Sequence, residues 1–83
     1  MNDKALSFKQ SIENELVSIA QQLFDNSSLP NSDKKEAISN TIKQCGEMAK
    51  QEYKGLAHNL GITEDELRYI INTAVLKAII KYK

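Results

Sequence analysis

The stretch "LAHNLGITEDELRYII", Leu56 to Ile71, reads as a corner between two helices, and the fold is worked out from it. Gly61 follows the apolar Leu60 and precedes the apolar Ile62. That order belongs to a helix that stops on a left-handed glycine, with the next apolar residue folding back over the last turn. Thr63 and Glu66 then have the spacing of a capping box, in which hydroxyl and carboxylate each accept a bond from a free N–H at the start of a helix. Glu64, Asp65 and Glu66 fill the first turn, where the helix dipole favours negative charge. The stretch predicts one helix ending near Leu60 and another beginning at Glu64.

Downstream of the corner, projecting Glu64 to Lys83 at about 100° per residue gathers Leu67, Ile70, Ile71, Ala74, Val75, Ala78 and Ile79 on one broad face, with Tyr82 near its middle. That face suffices for an internal core. Lys77, Lys81 and Lys83 suit the negative end of the dipole. A second apolar line, Tyr69, Thr73, Leu76 and Ile80, runs at spacings of four, three and four on roughly the opposite side, where a surface helix ordinarily carries polar residues. Either the remaining helices wrap around both stripes, or a second molecule covers the outer one.

Upstream, Ile38, Ile42, Cys45, Ala49, Tyr53, Leu56 and Leu60 mark the apolar face of a long second helix, with a bend expected at Gly46 or Gly55. Asp33 and Glu36 offer it a capping box, with Ser32 as the other candidate cap, and packing against the first helix is the simplest use of a helical glycine. "DNSSLPNSD", Asp25 to Asp33, contains the only proline and reads as the linker. Before it, Ile12, Leu16, Ile19 and Leu23, extended by Ala5 and Phe8, give a first helix over Asp3 to Phe24. No strand pattern or repeat is present. The expected fold is all-α, a three-helix bundle forming one domain over residues 1–83.

The corner resembles a helix-turn-helix through Ala57, Leu60, Gly61, Ile62, Leu67 and Ile70, about a quarter of the chain. The resemblance implies a small dimeric DNA-binding regulator in which Thr63 and Arg68, at the front of the second helix, meet the major groove. Glu64, Asp65 and Glu66 would then face phosphates at close range with a single guanidinium to offset them, so the structural corner is the preferred reading. Composition agrees. Eleven basic and eleven acidic residues cancel, and ten of the basic residues are lysines, whereas bidentate recognition of guanine or phosphate favours arginine.

Enzymatic chemistry finds little to work with. His58 and Cys45, each the only residue of its type, lie about 20 Å apart on a straight helix and form no dyad; Cys45 reads as core and His58 as surface near a helix end. The adjacent acids of the corner diverge, no calcium-loop spacing occurs, and three isolated glycines make no phosphate cradle. No catalytic, cofactor or metal residues are assigned. One cysteine, no secretory apolar run at the start and no segment of about 20 apolar residues lead to the expectation of a soluble, cytoplasmic protein, in which the sequon-like "NSS" at Asn26 is a polar loop.

A chain of 83 residues builds only a marginal core, which makes association with another chain a real prospect. The expected function is therefore protein–protein binding of the inhibitor, immunity or regulatory-adaptor type, by analogy of size and class, with Tyr69, Thr73, Leu76 and Ile80 as the partner or homodimer surface. Leu29 in the linker is the second choice.

Overall fold

A computed structural model describes residues 3–82; Met1, Asn2 and Lys83 lie outside the described residues. The chain is all-α, with four helices where three were expected: α1, Asp3–Asn26; α2, Asn31–Glu52; α3, Lys54–Asn59; and α4, Glu64–Ile79, which tightens into a 3₁₀ turn at Ile80–Tyr82. No strand occurs among the described residues. The molecule measures 43 × 20 × 17 Å.

Side-chain contacts fix the directions of the long helices. Lys77 meets Glu13, Lys81 meets Gln21 and the Tyr82 ring meets Phe24, so α1 and α4 ascend together. At opposite ends of α2, Lys34 lies 4.3 Å over the Phe24 ring and Tyr53 packs edge-on against Phe8 at 5.7 Å, so α2 descends between the ends of α1. The order is up, down, a corner, and up. The core joins residues of every helix, and the largest of its fully enclosed side chains, Ile42, Ile70, Ile71 and Ile79, belong to α2 and α4. All seven apolar residues assigned to the inner face of α4 are buried, and so is Tyr82.

The glycine corner forms as its sequence specifies. Gly61 has φ 76°, and the N–H groups of Ile62 and Gly61 donate to the carbonyls of Ala57 at 2.8 Å and His58 at 3.0 Å. This is the double closure of a Schellman motif, with buried Ile62 and Ala57 supplying its apolar contact. Thr63 and Glu66 form the reciprocal box, both bonds at 3.1 Å.

Upstream, three expectations give way. The second helix breaks at Tyr53, φ −94° and ψ 5°, and at neither Gly46 nor Gly55. The Tyr53 ring is held against Phe8, and the turn there rotates α3 so that Ala57 is buried and Leu56 is left exposed. Gly46 faces α4, where the first helix was expected: a Cβ there would lie 2.6 Å from Val75 Cγ2 and 3.5 Å from Ile71 Cγ2. Finally, α2 starts at Asn31 with Pro30 as its cap, whose ring has no oxygen to accept from the free N–H groups of the first turn; its carbonyl takes the first helical bond, from Lys34 N–H at 2.8 Å. Asp33 instead sits in the first turn, where its charge suits the dipole.

The core line of α1 also differs. Ala5, Phe8, Ile12, Leu16 and Ala20 are buried, Ile19 is half-buried and Leu23 is exposed. A recurrence of four in the upper half turns the core face away from Ile19 and Leu23 and leaves those two at an edge.

Candidate interaction surfaces

The outer face of α4 is a direct product of its helical period. With the inner face committed to the core, Tyr69, Leu76 and Ile80 are carried to the far side and are 63, 56 and 68% exposed, while Thr73 between them is partly buried. The expected outer stripe is therefore open on the single chain, and α1 and α2 do not wrap around it. Exposed aliphatic and aromatic residues in a row mark interaction surfaces more often than isolated ones do.

Lys77 and Lys81, beside this face, are both engaged within the chain. Lys77 donates to Glu13 at 3.0 Å, and Lys81 donates to Gln21 Oε1 at 2.7 Å. Glu13 is the one buried charged residue among those described, and Lys9 reaches its other oxygen at 3.2 Å. The bond from Lys77 holds the Glu13 carboxyl below the usual glutamate range, against burial, with Lys9 adding to the effect. Sequence reasoning missed this residue. Its signal was a glutamate at the edge of an apolar stripe, four residues after a lysine, but its partner on α4 is 64 positions away.

At the corner, Thr63 and Arg68 are both exposed but occupied. The Thr63 hydroxyl accepts from Glu66 N–H, while Arg68 donates to Asp65 at 3.0 Å and Glu64 at 3.4 Å. Lys54 pairs with Glu64 at 2.8 Å, and that bond draws the Glu64 pKa down; the Thr63 backbone N–H does the same for Glu66. The front of α4 thus presents three carboxylates, two paired with Lys54 and Arg68 and the third bonded to the Thr63 N–H.

A second apolar surface lies between α1 and α2 and was not assigned from the sequence. Ile12, Leu16 and Ile19 line one wall and Cys45, Met48 and Tyr53 the other, around a cleft of about 140 Å³. Cys45 is half-buried in this wall, at the margin of the core. Glu15 and Glu52 stand at the rim. Tyr53 donates to Glu15 at 3.5 Å, and burial together with the two carboxylates pushes its hydroxyl pKa up. Leu29, the second choice of contact, is also exposed in the linker, where its N–H bonds the Ser27 hydroxyl.

His58 is exposed at the end of α3, in a different helix from Cys45. Among the described residues no three His, Cys, Asp or Glu side chains gather as metal ligands, and no helix is long and apolar enough to cross a membrane. No family model, curated protein or solved structure matches the chain.

Proposed function

We propose that this protein is a non-enzymatic binding protein that works through protein–protein contact, with the outer face of α4 as its interface and a second copy of the chain as its first occupant. The observation that supports this most is the open row Tyr69, Leu76 and Ile80, bordered by Lys77, which is paired with Glu13, and Lys81, which is bonded to Gln21. A row of uncharged side chains can meet its own copy without bringing like charges together at its centre.

The positions suit two-fold pairing. Tyr69 and Ile80 lie equally far from the midpoint between residues 74 and 75, and so do Thr73 and Leu76. In an antiparallel pair of α4 helices, Tyr69 then packs on Ile80 of the other copy and Thr73 on Leu76, each contact occurring twice, as an isologous interface requires. Fully burying a Leu or Ile side chain gains about 1.5–3 kcal/mol, and these begin more than half exposed. Two pairs of them with two tyrosines exceed the cost of association only modestly, giving a Kd on the order of 100 µM.

The register is tested by charge exchange. Tyr69→Lys or Ile80→Glu alone is expected to abolish dimer formation in light scattering, and Tyr69→Lys combined with Ile80→Glu in one chain to recover part of it. Equal loss in all three variants would contradict the antiparallel pairing. Roles as inhibitor, immunity factor or regulatory adaptor fit such a protein by analogy of size and class alone. DNA binding through Thr63 and Arg68 is the competing reading. The internal pairing of Arg68 stands against it, and sequence-selective duplex binding that weakens steeply with salt would establish it.

A further inference from the structure

We infer that the cleft between α1 and α2 is a second docking site, built for a basic amphipathic helix of another protein. Its chemistry is specific. The walls are largely apolar, with Met48 61% exposed at the opening, and its unbranched thioether adapts to varied side chains. The volume of about 140 Å³ equals the share of roughly five water molecules at about 30 Å³ each, enough for one large apolar side chain as an anchor.

The rim carries one sign of charge. Among the described residues no lysine or arginine lines the cleft, and neither Glu15 nor Glu52 forms an ion pair. Tyr53 donates a long bond of 3.5 Å to Glu15, and burial first, then the two carboxylates, raise the pKa of its hydroxyl. Two carboxylates without a basic partner among the described residues, beside an apolar slot, call for lysine or arginine beside an apolar anchor. A helix presents that combination on one face through residues three and four apart. Along α1 the surface continues past Ile19 to exposed Leu23, which lengthens the track a helix would follow.

This site is separate from the outer face of α4, so it is tested in the background Leu76→Glu/Ile80→Glu, where dimer formation is disabled. The probe is a synthetic helical peptide with a leucine stripe flanked by lysines, compared with the same peptide carrying glutamates in their place. Binding is read by fluorescence anisotropy, and its location by methyl NMR of Ile12, Ile19 and Met48. The lysine peptide is expected to bind, to shift those methyl signals and to slow alkylation of Cys45. Glu15→Gln with Glu52→Gln, two surface changes that leave the core intact, should weaken binding about three- to tenfold, as expected for two partly screened ion pairs.

Absence of binding would overturn the inference. So would equal binding of the glutamate peptide, unchanged affinity after the Glu15→Gln/Glu52→Gln exchange, or methyl shifts confined to residues outside the cleft. Circular dichroism of each variant separates lost binding from lost fold.

Discussion

Glu13 shows how a single side chain ties distant parts of this chain together. Its carboxylate is shielded on α1, yet it accepts from Lys9 one turn earlier and from Lys77 on α4. Because Lys77 holds the folded-state pKa below the unfolded value, the stabilisation is present above the ordinary glutamate range and is lost as pH falls through the lower folded value. Replacing Glu13 with Gln is expected to cost about 1 kcal/mol at neutral pH and to flatten the acid limb of a stability–pH profile measured by urea denaturation. Gly46 and Gly55 make a second pair of opposites. At Gly46 an added methyl meets the stiff branched side chain of Val75, so Gly46→Ala should destabilise by about 1–2 kcal/mol, the overpacking outweighing the gain in helix propensity. Gly55 has open space around its missing Cβ and an ordinary helical φ, and Gly55→Ala should stabilise by about 0.5–1 kcal/mol. Equal effects at both glycines would contradict the packing of α2 on α4.

Among the elements, α4 was the most legible in the sequence. Its cap, first-turn acids and inner face each depend on residues a few positions apart, and local spacing carries that information. The glycine corner was legible for the same reason. Gly61→Ala is expected to cost about 1–2 kcal/mol by forcing a side chain into the left-handed region, and Thr63→Ala about 1 kcal/mol by removing a cap; thermal denaturation of both variants measures this. The break at Tyr53 was not legible, because the ring that holds Tyr53 belongs to Phe8, 45 positions earlier, and no local rule distinguishes it from the two glycines nearby. The exposed Leu23 and Leu56 have a similar origin. Periodicity says which residues share a face, whereas the approach of a neighbouring helix decides how far along that face burial extends. The cleft between α1 and α2 was out of reach for the same reason, since each wall alone looks like the edge of an ordinary core stripe.

At the scale of the molecule, two apolar surfaces remain on a chain that has already formed its core. One lies on the outer side of α4 as a row of uncharged side chains; the other lies between α1 and α2 and is rimmed by acids. If the first pairs two copies across a two-fold axis, the second is presented twice, and a partner bearing two basic helices gains from binding both ends at once. That arrangement depends on the α4 face being an interface in solution. Sedimentation equilibrium over about 20 µM to 1 mM, bracketing a Kd on the order of 100 µM, tests it most directly. The wild type should pass from monomer to dimer across that range and stop there, while Leu76→Glu/Ile80→Glu stays monomeric with unchanged helicity. A wild type that remains monomeric at the highest concentration, or a double variant that dimerises as well as the wild type, would contradict the assignment of this face.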